Sequence, residues 1–472
     1  MRIRLKSLPN IKKEFDLQTK NSSAKNNIVI CFENSRFLLS YCNAESLVKL
    51  KLKYNLTFII SEKISAEESF FLLDYGKVYR FNEIKFLKKI TNLVLARKTY
   101  LNRYKSKSFE TRIRHLYPEI FFTSNKLLDY RKISVFYIKI KKENVALKSI
   151  EQKILKYSTN INKFINSDTS TKHFIILSGG AYSGFETSAI SFANQNKINT
   201  VLVIDNWDNL SSKSILLAEP KIAVVWGDFM EKEARVIHSF NKTRIYQLTP
   251  LRFNYEAKIN RHINASKYVL FAGSGGNTEN EMELLKKCAT IFQNYLTNVD
   301  LLYRPHPTTI SNYSRFIQEF NSTFNGYINV KIDSSLNELS KNNWYSINDQ
   351  KRVSDLIVNC EFLITPHSTM LLEANFRGKP AVALSYDILS TSESQSRERN
   401  DWNEYQHLID YRKNPYLILV ENEGELARSI MSAIAMQDSS VQIKQSCKEF
   451  IVDNSSDFYG DIFKIIDKDQ SL

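Results

Sequence analysis

The stretch SDLIVNCEFLITPHSTMLLEANFRGKPAVALSYD, Ser354 to Asp387, changes its periodicity three times. It opens on a short helical piece, runs into an apolar strand from Glu361 to Ile364, breaks at Thr365-Pro366-His367 and resumes as a helix at Ser368-Thr369. The helix passes Glu373 and stops near Gly378, ahead of Lys379-Pro380 and a second buried strand, Ala381 to Leu384. Strand, polar turn, helix and strand predict a βαβ unit whose turn lies at the carboxyl edge of a parallel sheet. A helix beginning there offers unpaired N–H groups and the positive end of its dipole to an anion. Ser368 or Thr369 can cap that helix while holding a phosphate, and Glu373 follows one turn on toward the same edge. The plainer alternative is an N-cap and a solvated carboxylate with no ligand, because Ser and Thr are ordinary caps.

The same alternation continues in both directions. Upstream, strands are predicted at Asn27–Phe32, Leu56–Ser61, Lys77–Phe81, Phe174–Leu177, Thr200–Ile204, Lys221–Trp226 and Arg244–Leu248, with helices at Arg36–Lys53, Thr187–Asn196 and Glu231–Phe240. Residues 116–172 complete this half with a strand over 134–142 and a helix over 146–166, and the polar run Asn254–Ser266 reads as a linker. A second run then begins: strands at Tyr268–Ala272, Asp300–Tyr303, Ile328–Ile332 and Tyr416–Val420 surround the stretch above, with helices at Glu279–Tyr295 and Tyr313–Phe320. Two successive runs of this kind predict an α/β chain of two Rossmann-like, doubly wound parallel-sheet domains facing a cleft. The expected division is 1–255, 256–440 and a helical segment 441–472 that packs back across the domains.

A chain of 472 residues exceeds what one core organises, which agrees with two domains. No run is apolar for long enough to span a bilayer, and MRIRLKSLPNIKKEF lacks the apolar segment of a secretory signal, so the expected location is the cytoplasm. Cys31, Cys42, Cys288, Cys360 and Cys447 are scattered, which makes them reduced packing residues, and the seven histidines have no metal-ligand spacing. No metal site is expected.

The formal net charge of +15 fits nucleic acid, an anionic membrane or phosphorylated substrates. Without a zinc finger or an RNP-type aromatic strand, nucleic acid is not an expected partner. The basic, amphipathic segment from Asn82 to about His115, with Lys88, Lys89 and Arg97, suits either an anionic membrane surface or an ordinary surface helix over the sheet.

Four polar clusters fall where strands should end. Ser274-Gly275-Gly276-Asn277 brings backbone N–H groups close to a ligand, or forms a plain turn. Tyr303-Arg304-Pro305-His306-Pro307 fixes an imidazole and a guanidinium between prolines, a rigid presentation that suits a diphosphate. The third cluster is Pro366-His367-Ser368-Thr369 with Glu373. The fourth, Asp205-Asn206-Trp207-Asp208-Asn209-Leu210-Ser211-Ser212-Lys213, is dense in groups that are costly to bury unpartnered.

Together the YRPHP turn at 303–307, the PHSTMLLEANFRGKPAV segment at 366–382 and the DNWDNLSSK loop at 205–213, followed by VVWGDFM and LTPLRF, resemble GT-B glycosyltransferases. The likeness is to the bacterial surface and capsule polysaccharide group bordering the CDP-glycerol glycerophosphotransferases. It covers residues 173–390 and implies that the C-terminal domain binds the nucleotide of an activated sugar and the N-terminal domain the acceptor. Carried onto this sequence, it has Arg304 and His306 contact phosphate, Ser368 and Thr369 hold phosphate with His367 beside them, and Glu373 bond the ribose hydroxyls. Ser274 and Gly275 would line the phosphate side of the cleft. The base for an inverting transfer would be Asp208, then Asp205, then Glu186.

The resemblance further implies a CMP-, CDP- or UDP-linked sugar as substrate, no tightly bound cofactor, and a lipid-linked glycan or oligosaccharide acceptor, which the charge and amphipathicity of the 82–115 segment would help the protein meet at the inner membrane face. Three other readings share the architecture: polyol-phosphate transfer of the CDP-glycerol type, UDP-sugar 2-epimerisation, and non-enzymatic nucleotide sensing in the cell envelope.

Overall fold

The computed structural model describes residues 26–42, 44–81, 85–116, 149, 151, 171–178, 184–254, 267–274, 278–306, 313–333, 347–389, 397–454 and 457–470. The first of two sheets holds β1 (Asn27–Phe32), β2 (Asn55–Ser61), β3 (Gly76–Phe81), β4 (Thr171–Ser178), β5 (Asn199–Ile204), β6 (Ile222–Val225) and β7 (Arg244–Gln247). Its order is β3-β2-β1-β4-β5-β6-β7. The second holds β8 (Lys267–Ala272), β9 (Val299–Arg304), β10 (Val330–Ile332), β11 (Leu363–Thr365), β12 (Ala381–Leu384) and β13 (Leu417–Val420), in the order β10-β9-β8-β11-β12-β13. All the pairings are parallel; Leu363, for example, lies opposite Ala381 on one side and Leu270 on the other. Helices cover both faces of such sheets, so central strands are apolar throughout. The wholly buried runs IAVV of β6 and AVAL of β12 follow that rule. The α/β, two-sheet architecture expected from the sequence is the one observed.

Strand order reverses between β1 and β4 in the first sheet and between β8 and β11 in the second. At such a switch point the flanking loops leave in opposite directions and open a crevice beyond the carboxyl ends. The Ser354–Asp387 stretch supplies one side of it. Helix Ile347–Asn359 leads into β11, and helix Thr369–Phe376 returns to β12. The returning helix stops because Gly378 adopts φ +72, a left-handed conformation that glycine enters without penalty, while Lys379 N–H closes on Ala374 O at 2.9 Å.

Several boundaries differ from the sequence reading for local reasons. The helix expected over Arg36–Lys53 is two helices, Ser35–Tyr41 and Ala44–Lys53, the first capped by Asn34, whose Oδ1 accepts from Phe37 N–H at 3.1 Å. The basic segment from Asn82 divides into Lys85–Leu101, a 3₁₀ turn at Arg103–Lys105 and Lys107–Leu116. Arg97 is not on a membrane-facing surface: it is fully buried, with Nη1 2.7 Å from Glu151 Oε1. The predicted strand at 134–142, most of the helix at 146–166 and nearly all of the linker lie outside the described residues.

One core joins the two halves. Trp207 meets Tyr411 edge to face at 5.1 Å, and Phe253 meets Phe376 likewise at 5.3 Å. Beyond the second sheet, Val452 N–H donates to Trp226 O at 2.8 Å. Helix Phe458–Gln470 then buries Phe458, Tyr459, Ile462 and Ile466 with Ile28, Ile30 and Phe58 of the first sheet.

Candidate functional site

A cavity of about 420 Å³ opens where the two sheets face each other. The carboxyl ends of four strands reach it: β5 delivers Asp205 to Asp208, β8 delivers Gly273 and Ser274, β9 delivers Arg304 to His306, and β11 delivers His367 to Met370. All four polar clusters singled out in the sequence thus converge on one space. Gly275 of the first cluster lies outside the described residues.

At the helix start, Ser368 is extended and its Oγ accepts from Met370 N–H at 3.2 Å, the geometry of an N-cap. Thr369 Oγ1 donates to Asn206 Oδ1 at 2.9 Å, tying the helix to the loop after β5 across the cleft. Glu373 is only 6% exposed and lines the cavity, and its carboxylate has no hydrogen bond or ion pair among the described residues. Burial raises its pKa, and the positive charges of Arg252 and Arg377 oppose that rise. His367 also lines the cavity, with Nε2 3.6 Å from Asp401 Oδ2, and Trp402 Nε1 donates to Pro366 O at 3.2 Å. Helix Arg397–Glu404, which the sequence reading did not place, therefore braces the turn from behind.

The turn after β9 holds its arginine tightly. Arg304 lines the cavity, but Nη1 lies 2.5 Å from Asp333 Oδ2 and Nη2 2.5 Å from Asp349 Oδ1, all three residues being buried. Its guanidinium is committed to this triad, which positions the loop carrying His306. The turn after β8 is shaped by Glu281, which accepts from Ser274 N–H at 3.1 Å and from the Tyr303 hydroxyl. A β-carbon at Gly273 would collide with that carboxylate and stand 2.8 Å from His306 N, so the close approach of these two turns requires glycine.

On the opposite wall, Asp205 is 6% exposed and lines the cavity. Asp208 lines it too, with Oδ2 2.5 Å from Lys213 Nζ and 3.3 Å from Ser212 Oγ. Asn206 Oδ1 accepts from Arg252 Nη2 at 3.2 Å as well as from Thr369. Glu186 does not reach this space. Its helix begins at Gly184, earlier than the expected Thr187, which leaves Glu186 buried in the first turn and away from the cavity lining.

Among the lining residues without an assigned role in the sequence reading, three bear directly on the cleft. Arg252 follows β7 within the LTPLRF motif, its guanidinium 4.9 Å from the Trp226 ring. Gln350 donates to Ser40 Oγ at 2.6 Å and links the halves a second time. His407, on helix Gln406–Tyr411, packs edge to face on Trp207 at 4.8 Å. Strand ends announced the first four clusters; His407 leaves no such trace. Among the described residues, no His, Cys, Asp or Glu group could hold a metal ion, and no helix is long and apolar enough to cross a membrane.

Two facing parallel sheets with the cleft at their switch points constitute the GT-B fold. The chain is similar in structure to a protein described as a UDP-N-acetylglucosamine 2-epimerase from Listeria monocytogenes (TM-score 0.52, 10% identity, 95% of this chain and 97% of that one). It also resembles the wall teichoic acid polymerase TagF (TM-score 0.45, 12% identity, 97% and 93%) and S. aureus MnaA solved with UDP (TM-score 0.47, 11% identity, 95% and 97%). At 10% identity the first of these likenesses is one of fold. The sequence matches no protein-family model and no curated protein.

Proposed function

We propose that the chain is a nucleotide-sugar-dependent glycosyltransferase that moves a sugar from a CMP-, CDP- or UDP-linked donor to a surface glycan acceptor. The observation that carries this reading is Glu373, a buried carboxylate on the cavity wall without a hydrogen-bond partner among the described residues, one turn into a helix whose start opens on the same cavity. Burying such a group is costly unless a ligand donates to it, and vicinal ribose hydroxyls do so in pairs. Ser368, Thr369 and the positive dipole end at the start of that helix suit the phosphates, with His306 and His367 adding donors. Ser274 closes the phosphate side. Asp205 and Asp208 orient the acceptor from the opposite wall, and the departing phosphate is stabilised by helix dipole and imidazoles. A lipid-linked acceptor would bring the enzyme to the membrane face.

A melting-temperature screen against CMP, CDP, UDP and GDP tests the reading. A ligand at 100 times its Kd adds about 2.7 kcal/mol to the native state, an easily read shift. Glu373→Ala and His306→Ala should each abolish the shift that one nucleotide gives. No shift with any of the four nucleotides, or shifts retained in both variants, would remove the basis for transfer. Incubation with UDP-N-acetylglucosamine alone is the companion experiment, since conversion without an acceptor would make the protein an epimerase.

A further inference from the structure

His407 and Glu233 are left unused by the reading above, and both line one small void. His407 and Trp207 line both the main cavity and a second space of about 10 Å³ behind it, so their edge-to-face pair forms the partition between the two. Glu233, on helix Asp228–Val236 and 8% exposed, lines the second space with Asp410. Among the described residues, His407 Nδ1 and Glu233 Oε2 are both buried without a hydrogen-bond partner. Orphaned buried polar atoms are rare because each forfeits its hydration. A space of this size is close to what a single water needs, and one water there would satisfy both atoms.

The neighbouring buried histidine shows what a purely structural one does in this chain. His238 accepts from Leu216 N–H at Nδ1 (3.0 Å), so its Nε2 donates to Leu210 O (2.7 Å), and both ring nitrogens are used. His407 instead has Nδ1 buried without a hydrogen-bond partner among the described residues, and the residue lines both spaces. Asp208, which lines the main cavity, is already held by Lys213 at 2.5 Å.

We propose that His407 is the catalytic base of the transfer and that Glu233, acting through one buried water, is the positioning residue that fixes its tautomer and offsets its charge. This rests on the glycosyl-transfer reading. The acceptor hydroxyl oxygen forms its bond to the anomeric carbon as the bond from that carbon to the phosphate oxygen breaks, and the nucleotide departs with the electron pair. The hydroxyl proton passes to His407 Nε2, while Nδ1–H donates to the water held by Glu233; the imidazolium then returns its proton to solvent as product leaves. A base oriented by a third group is the general arrangement for activating a hydroxyl.

The charged groups around the pair are consistent with this. Burial, with Lys213 and His367 adding to it, drives His407 well below its usual value, so the ring is neutral and able to accept. Burial lifts Glu233 to about 8, Ser211 opposing and Asp410 and Asp208 reinforcing. Turnover should therefore rise through pH 8, where Glu233 ionises and can balance an imidazolium.

The test uses the full chain. Long-range 1H–15N spectra of histidine rings, with His407 identified as the signal missing in His407→Gln, should show the proton on Nδ1, and Glu233→Gln should move that signal. A proton on Nε2, or a signal indifferent to Glu233→Gln, overturns the proposal whether or not a substrate is known. Nucleotide release from UDP-N-acetylglucosamine, CMP-N-acetylneuraminate and CDP-glycerol, with water or glycerol as acceptor, gives the second readout. There His407→Gln should lower kcat about 10²- to 10⁴-fold, the usual worth of a general base, with KM for donor unchanged. Glu233→Gln should flatten the limb near pH 8. Wild-type kcat in a His407→Gln protein that melts normally overturns the assignment, and His407→Asn serves if that variant does not fold. Absence of any nucleotide-induced melting shift would instead defeat the transfer reading, leaving the tautomer result to decide the pair.

Discussion

Replacing Arg304 by Met separates the two roles an arginine in the YRPHP turn can have. In the structure its two terminal nitrogens each lie 2.5 Å from a carboxylate, Asp333 on one side and Asp349 on the other, and all three groups are at most 5% exposed. Removing the cation leaves two buried carboxylates without the guanidinium between them, Arg352 lying 3.3 Å from Asp333. Breaking a buried pair from one side costs about 3–5 kcal/mol, most of it the penalty of the charge left behind. With a urea slope of about 2–3 kcal/mol per M for a domain of this size, the midpoint should fall by about 1–2 M. Urea unfolding followed by far-ultraviolet circular dichroism measures that fall, and calorimetry with the nucleotide selected by the melting screen measures the Kd. If Arg304 acts only through the triad, Kd changes little wherever the protein is folded. A phosphate-binding arginine would instead forfeit a charged hydrogen bond of about 1.5–3 kcal/mol, which is roughly a 10- to 150-fold weaker Kd. An unmoved midpoint with a Kd raised more than tenfold would refute the assignment of Arg304 to the triad. The double variant Arg304→Met with Asp349→Asn should recover part of the lost stability, because it removes one of the stranded charges.

Other perturbations follow from single contacts. Burial, assisted by Lys105 and opposed by Leu210 O, holds His238 at about 4 while the unfolded chain keeps about 6.5, so the unfolded state gains a proton first on acidification. Stability from this group is full above pH 6.5 and falls as pH drops toward 4; about 2 kcal/mol should be lost by pH 5, and His238→Gln should show a shallower acid limb in thermal melts. Gly378→Ala forces a left-handed alanine whose β-carbon meets the Ser440 hydroxyl and lies 2.8 Å from Ser440 O, costing about 1–3 kcal/mol; an unchanged melting temperature would show that the turn relaxes freely. Lys88→Glu with Lys89→Glu should weaken binding to anionic liposomes if the basic segment serves a membrane, whereas Arg97→Glu should lower stability, because Arg97 is buried on Glu151.

What the sequence disclosed and what it hid divide along a physical line. Strands covered on both faces must be apolar throughout, so IAVV and AVAL announce themselves, and the polar residues that end such strands are the ones a switch-point crevice collects. That logic brought 205–213, 274, 303–306 and 366–373 to one cavity. It could not reach Arg304's partners, because Asp333 and Asp349 stand 29 and 45 residues downstream in segments without a motif. It missed His407 for a related reason: the helices at 397–411 are polar, do not start at a strand end, and reach the site by folding back onto Pro366, His367 and Trp207. Glu186, the third candidate base, is lost to the site because the helix begins at Gly184 and leaves it buried off the cavity lining.

The same geometry sets a condition on how a donor would be held. Asn206 Oδ1 accepts from Thr369 at the start of the phosphate-facing helix and from Arg252 on the opposite half, so one amide oxygen joins the two walls of the cleft. A phosphate arriving at that helix competes with Asn206 for the Thr369 hydroxyl, and a charged acceptor is the stronger partner. Losing Thr369 leaves Asn206 Oδ1 with Arg252 and the Trp207 N–H, both on its own half, which loosens one of the cross-cleft ties while others, such as Gln350 with Ser40, remain. Donor binding would therefore act on the loop that carries Asp205, Asn206 and Asp208. That would couple filling of the nucleotide side to the shape of the acceptor side through a single exchangeable hydrogen bond.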